Sequence, residues 1–353
     1  MKKLIPVLVF AYLHLISCSE NHSKKETSSF TIGYGQMPAI TASANSVAIV
    51  FGKGDSLMFT TSASRVDSFS PAALIDTLPN VVAYATRGPQ ICLTSNGFAV
   101  IAVNKAGDIF SYTSDNTRHW TKGNKLNNVD TVDKEGFLGL AGNGSNKIFA
   151  IWTDLRNDRH NKLYGARSTD GGKTWQENIL VYASPDGNIC ECCKPSVVMQ
   201  NDNVYVMFRN WIKGNRDLYL VQSANGGASF GKAIKLGSGS WHLDGCPMDG
   251  GSLDVNKDSH PQTVWRRGSA IYTCEPGQTE KQIGEGKNCV ITTVDNKNIY
   301  AWTRNGKVLC TVPGSPAKVI GEGDLPVLKS INDKEAICIW QNNKHIQGRI
   351  LHL

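Results

Sequence analysis

The sequence predicts an all-β chain and, within that class, a propeller built of four-stranded blades. Three observations carry the prediction. Short runs of Val, Ile, Phe, Tyr and Trp, such as "SVAIVFGKGDSLMFTTS", "GFAVIAVNKAGDIFSYTS" and "NVYVMFRN", are separated by Gly- and Asn-rich turns, and helical periodicity is nearly absent. The pattern also recurs: a short strand begins near Met37, Gly88, Gly136, Cys193, Cys246, Asn288 and Leu325, and a turn and a strongly apolar strand follow each time. Units of roughly 40 to 50 residues with four strands each are what propeller blades require. Finally, "SFTIGYG" (Ser29 to Gly35) is a strand with no unit of its own, and the last unit holds only three, "PVLKS", "EAICIW" and "HIQGRILHL". The two chain ends are expected to share one blade, which closes the ring and removes a free sheet edge. The count gives seven blades, with six as the alternative.

Taken in order, the chain starts with Lys2 and Lys3 and an apolar run, Ile5 to Ile16, too short to span a bilayer comfortably. It ends in Leu15-Ile16-Ser17-Cys18. This resembles a bacterial lipoprotein signal. The resemblance implies removal of residues 1–17, acylation of Cys18, and a protein held at a membrane of the bacterial cell envelope, on the periplasmic side or at the cell surface. An ordinary export signal that happens to contain Cys18 is the alternative. Residues 18–29 are polar and read as a flexible tether, and residues 30–353 as the propeller domain. The net charge is +7, with 37 Lys and Arg against 30 Asp and Glu. Two of these charges lie in the leader and the rest are scattered, so no nucleic-acid partner is expected, and a monomer is.

In the body, "RSTDGGKTW" (Arg167 to Trp175) fits the pattern S-x-D-x-G-x-T-W through Ser168, Asp170, Gly172, Thr174 and Trp175. Weaker echoes, "SANGGASF" and "TSDNTRHW", fall at the same place in neighbouring units. Asp170 can accept hydrogen bonds from its own turn, glycines permit positive φ, and Trp175 can enter the blade core. The motif resembles the Asp-box, or BNR repeat, found between the third and fourth strands of blades in sialidases and related propellers. The resemblance implies a sialidase-like propeller in which Asp170 serves the fold, away from the substrate face.

That family also implies a site of three arginines, an aspartate acid and a tyrosine nucleophile. Here Arg87 stands in Arg87-Gly88-Pro89, close to the family's R-I-P. Arg156, Arg209, Arg216 and Arg266 follow strongly apolar strands, with Asp154, Asp244 and Tyr272 as candidate catalytic groups. Guanidinium groups clustered after inner strands suit bidentate binding of a carboxylate. The alternative for each is a cap or ion pair with a neighbouring aspartate such as Asp154 or Asp217. No Tyr-Glu pair matches the family's pattern.

Beyond Cys18, nine cysteines remain. Three fall in "NICECCKPS" (Cys190, Cys192, Cys193), and Cys246 begins the next unit, beside His242, Asp244 and Asp249. If both units start at inner strands, these side chains meet at one mouth of the channel. In an oxidising compartment Cys246 is expected to pair with one of the three. The alternatives are a thiolate site for zinc or copper with His242, and a redox-active thiol pair. The functional expectation is a glycan-binding protein or divergent glycoside hydrolase acting on anionic glycans, which requires no cofactor. The alternative is a non-catalytic scaffold or metal-binding propeller centred on the cysteines.

Overall fold

A computed structural model describes residues 28–43, 46–62 and 66–353. The expected lipoprotein signal, Cys18 and most of the expected tether lie outside the described residues. The described residues form seven four-stranded antiparallel sheets. Blade 7 joins the chain ends: β1 (Phe30–Tyr34) is its outer strand. Blade 1 is β2 (Gln36–Ser43), β3 (Ser46–Lys53), β4 (Ser56–Thr61) and β5 (Ala73–Thr77). Blade 2 is β6 (Gln90–Leu93), β7 (Phe98–Val103), β8 (Ile109–Ser114) and β9 (Thr121–Lys125). Blade 3 is β10 (Leu138–Gly142), β11 (Ile148–Asp154), β12 (Lys162–Ser168) and β13 (Ile179–Tyr182). Blade 4 is β14 (Ser196–Gln200), β15 (Asn203–Arg209), β16 (Leu218–Ser223) and β17 (Ile234–Lys235). Blade 5 is β18 (Gly251–Val255), β19 (Pro261–Arg267), β20 (Ala270–Cys274) and β21 (Lys281–Glu285). Blade 6 is β22 (Lys287–Val294), β23 (Lys297–Arg304), β24 (Lys307–Thr311) and β25 (Lys318–Glu322). Blade 7 is completed by β26 (Asp324–Asn332), β27 (Glu335–Asn342) and β28 (His345–His352).

Seven blades are therefore present, not six. The closure expected from the sequence is present too: β1 pairs with β28 in the register Phe30 to Gly348 and Tyr34 to His345. The inner strands β2, β6, β10, β14, β18, β22 and β26 neighbour one another around the channel. Second strands are the most deeply buried; every residue of β11 is enclosed. Near their ends stand Trp152, Trp265, Trp302 and Trp340, all buried between blades. Blades close onto these rings through glycine: a Cβ on Gly321 would collide with Trp340.

One expectation needs correction. Cys193 and Cys246 were expected at the starts of inner strands. They lie instead in the connections before β14 and β18, which begin at Ser196 and Gly251. The connections here are long and their backbone pairs elsewhere: Ile189 bridges to Asn210, and Cys190 N donates to Arg209 O at 3.0 Å. Cys92 lies on the inner strand β6 and Cys289 on the inner strand β22.

Candidate functional site

Because successive strands run antiparallel, connections between blades share one rim with the turns from second to third strands. Turns from third to fourth strands lie on the opposite rim. Residues Ser168 to Trp175, which carry the S-x-D-x-G-x-T-W pattern, occupy such a turn, between β12 and β13. Asp170 accepts from Thr174 N (2.9 Å) and Thr174 Oγ1 (2.6 Å), and Ser168 Oγ accepts from Gly172 N (2.9 Å). Trp175 is partly buried against the blade 2 and blade 3 cores. The echo at Ser223 to Ser229 repeats the pattern, with Asn225 accepting from Ser229 N at 3.0 Å. These residues hold a turn on the rim away from the connections.

On the connection rim, the mouth of the channel is a cavity of about 230 Å³, walled by Met37, Gln90, Lys194, Asp249, Asn288 and Leu325 among others. Met37, Asn288 and Leu325 each have φ between 52° and 57°, at equivalent positions just after a blade connection, and each coincides with a bulge in its inner strand. Asn tolerates this conformation, whereas Met37 and Leu325 adopt it at a cost in backbone strain. Lys194 points its amine into this mouth, donating to Gln90 Oε1 at 3.1 Å. Burial alone pushes its pKa down to about 8. Among the described residues no carboxylate stands within ion-pair distance of it. Asp249, the carboxylate of the cavity wall, is committed elsewhere. Its Oδ2 lies 2.7 Å from Arg266 Nε and accepts from Asn288 N at 2.9 Å. Burial raises its pKa against the pull of Arg266 and Arg209.

Behind this wall lies the cysteine centre. Cys192 and Cys246 form a disulfide across a separation of 54 residues, the pairing class expected from the sequence. Cys190 Sγ lies 3.7 Å from Cys192 Sγ and 3.5 Å from Cys193 Sγ, and Cys192 and Cys193 Sγ are 3.9 Å apart. Arg216 Nη1 donates to Cys190 Sγ at 3.1 Å. The Cys193 hydrogen bond, helped by Arg216 and Arg209, holds the Cys190 thiol well below its usual range. Burial and the proximity of Cys190 push Cys193 upward. Arg209 is 1% exposed. Its three donors reach backbone carbonyls of Asp249 (3.0 Å), Arg216 (2.6 Å) and Arg266 (3.0 Å). The Trp241 ring lies within 5.3 Å of the Arg209 guanidinium and 5.2 Å of that of Arg266.

Of the arginines singled out in the sequence, the fold brings Arg209, Arg216 and Arg266 together. It leaves Arg87 and Arg156 in pairs of their own. Arg87 bonds Glu135 at 3.2 Å and lies 4.2 Å from the Phe137 ring centroid. Arg156 is clamped by Asp154 (2.7 Å), Asn128 and Asn178 over the Tyr164 ring. Asp154 is fully enclosed and also accepts from Trp152 Nε1 at 2.7 Å. Tyr272 stacks on Trp265 beneath the Arg267 guanidinium. Asp244 is exposed. His242 is exposed and stands over Gly214, outside the sulfur cluster of Cys190, Cys192 and Cys193. Lys194, Gln90, Asn288 and Trp241 were not singled out from the sequence. The signal that could have found Lys194 is its place in Cys193-Lys194-Pro195, between a sulfur cluster and the proline that opens an inner strand.

No protein-family model matches the chain, and no curated protein matches it. The sialidase-like resemblance therefore finds no family support. Solved structures do match. The BP39L lectin from Burkholderia pseudomallei has 10% identity and a TM-score of 0.65, covering 90% of this chain and 96% of that one. An alpha-L-arabinanase from Penicillium chrysogenum, complexed with arabinobiose, has 9% identity and a TM-score of 0.56, with 93% and 98% covered. A protein of unknown function from Dyadobacter fermentans DSM 18053 has 12% identity and a TM-score of 0.54, with 93% and 99% covered. At such identities the likeness establishes a shared fold, the β-propeller.

Proposed function

We propose that this propeller binds an anionic carbohydrate at the mouth of its channel, with the Lys194 ammonium as counter-charge. The observation that carries the reading is a half-buried lysine that faces a cavity and, among the described residues, has no carboxylate partner. A lysine whose amine is withdrawn from water into a cavity is normally paired, because desolvating an unpaired charge is costly. A bound carboxylate or sulfate supplies the missing partner. Asn288 lines the same cavity, and its amide oxygen offers a neutral acceptor for a ring hydroxyl, while its Nδ2 donates to Asp324 Oδ1 at 2.8 Å. The cavity of about 230 Å³ suits a single sugar unit rather than a long chain. The sugar class is supported by the fold's company, since structures titled as a lectin and an arabinanase share it.

Binding is favoured over hydrolysis. Glycoside hydrolysis ordinarily uses two carboxyl groups across the scissile bond. The cavity wall carries one, Asp249, already held by Arg266. Asp154 is sealed by Arg156 and Trp152. The lipid anchor at Cys18 belongs to the same reading, as a tether that holds the domain at the envelope. Membrane fractionation of a Cys18→Ser variant tests it, and equal retention of variant and parent rejects it.

The test of binding is calorimetric titration with uronic-acid, sulfated and sialylated oligosaccharides, and with neutral counterparts. The parent should bind a member of the anionic set, and Lys194→Met should lose it. No binding to any anionic glycan, or equal binding by the variant, overturns the proposal.

A further inference from the structure

Cys190, Cys192 and Cys193 do more than stand close. Their sulfurs form a triangle with sides of 3.5, 3.7 and 3.9 Å. A tetrahedral thiolate centre with zinc–sulfur bonds of about 2.3 Å has sulfur–sulfur edges of about 3.8 Å. The triangle therefore has the dimensions of one face of such a centre. All three residues are at most 4% exposed, so the face is shielded from water. The fourth vertex is at hand: Cys246, exposed at the rim, has its Cα 6.1 Å from that of Cys192.

Charge points the same way. Four thiolates around a divalent cation leave two negative charges. Arg216 places a guanidinium nitrogen 3.1 Å from Cys190 Sγ, and Arg209 lies directly behind it, bonded to the Arg216 carbonyl at 2.6 Å. The donors of Arg209 meet only backbone carbonyls, so its charge meets no carboxylate through a hydrogen bond. Two enclosed cations beside three cysteine sulfurs suit a cluster that becomes anionic when loaded.

We propose that, with the Cys192–Cys246 disulfide reduced, Cys190, Cys192, Cys193 and Cys246 form a tetrahedral site for zinc(II). A dithiol reductant transfers two electrons and two protons to the disulfide and becomes a disulfide itself, which frees both thiols. The metal then displaces four protons from four thiols. Cys246, on the surface, is the sulfur a reductant meets first. Zinc loading is thereby gated by the redox state of that pair. The site lies behind the sugar-binding mouth and does not depend on it.

The test uses the purified full-length protein under anaerobic conditions, as isolated and after reduction by a dithiol, titrated with cobalt(II) and then zinc(II). Reduced protein should bind one equivalent of cobalt, with the visible absorption of a tetrahedral centre and intense thiolate-to-cobalt charge transfer. Zinc should bleach both. Cys190→Ser should abolish the four-thiolate spectrum. Arg216→Gln should weaken zinc by about 10- to 100-fold in a chelator competition. Cys92→Ser, which alters a buried cysteine in the blade 2 and blade 3 core, should bind zinc as the parent does and controls for folding. A reduced, folded protein that takes up no cobalt overturns the proposal. So does a Cys190→Ser spectrum unchanged from the parent, or the same tetrahedral spectrum from protein whose disulfide is intact.

Discussion

Replacing Lys194 by methionine should stabilise the protein while removing its ligand. The amine lies in the channel mouth with a single hydrogen bond, to Gln90, and burial alone brings its pKa from 10.5 to about 8. Keeping that ammonium charged in the folded protein costs about 3 kcal/mol, at about 1.4 kcal/mol per pKa step. Methionine has similar length and no charge, so most of this penalty should be relieved. Some is given back because Gln90 Oε1 loses its donor, and the net gain should be about 1–3 kcal/mol at neutral pH.

The pH profile supplies the sign check. Below pH 8 the lysine is charged in both folded and unfolded chains, and the penalty is full. Between about 8 and 10.5 only the unfolded chain keeps the proton, so the stability of the parent rises with pH. The advantage of Lys194→Met should therefore be constant below pH 8 and shrink towards zero near 10.5. Denaturant unfolding of both proteins across this range measures it. Affinity for an anionic glycan should fall over the same window, about tenfold per pH unit, as the free amine loses its charge. A variant less stable than the parent at every pH, by a constant amount, would show that Lys194 is a structural residue and would refute the reasoning.

The other expectations concern the frame. Deleting Phe30–Tyr34 should unpair β28, expose the core beneath it and lower the melting temperature or cause association, which scanning calorimetry and size-exclusion chromatography would show. Asp170→Ala removes both acceptors that hold Thr174, so it should cost about 1–2 kcal/mol and leave ligand binding unchanged. Gly321→Ala drives a methyl group into Trp340 and should cost about 1–3 kcal/mol in denaturant unfolding. Cys246→Ser opens a loop of 54 residues and should lose about 4 kcal/mol in the chain-entropy account, and non-reducing peptide mapping of the parent should recover Cys192 linked to Cys246.

The frame was legible because it is periodic. Apolar strands and glycine turns repeat, and both the seven-unit count and the shared last blade follow from that repetition. The site was legible only in part. The sequence pointed to the cysteine pairing because Cys246 and the triple-cysteine segment hold equivalent places in consecutive units. It pointed to Arg209, Arg216 and Arg266 as residues beyond apolar strands, but Arg156 has the same signature and is consumed by Asp154 two residues earlier. Whether a guanidinium meets a neighbouring carboxylate or a backbone carbonyl depends on rotamers and loop paths, which periodicity does not encode. Lys194 escaped notice for the complementary reason. Its distinction is that, among the described residues, no carboxylate pairs with it, and such an absence leaves no motif.

The ring is uneven, and its unevenness bears on where chemistry can occur. Three blade connections are reduced to one glycine each: Gly35, Gly286 and Gly323. At Gly286 and Gly323 φ is +150° and +137°, and a Cβ would strike the carbonyl of Thr303 or Gln341, so these joints admit no side chain and no loop. The other four connections, 78–89, 126–137, 183–195 and 236–250, are long. They carry Arg87, the three-cysteine segment, Lys194, Trp241, Cys246 and Asp249. The short side therefore acts as a rigid clamp, and the long side builds the mouth. Several features of that mouth oppose stability: an amine with no carboxylate partner among the described residues, left-handed residues at Met37 and Leu325, and enclosed guanidinium groups. Such features persist only where the surroundings over-determine them. The clamp of blades 5, 6, 7 and 1, the shared blade 7 and the Cys192–Cys246 bond provide that constraint. A mouth held open at a cost to the fold is the physical argument that it serves a ligand.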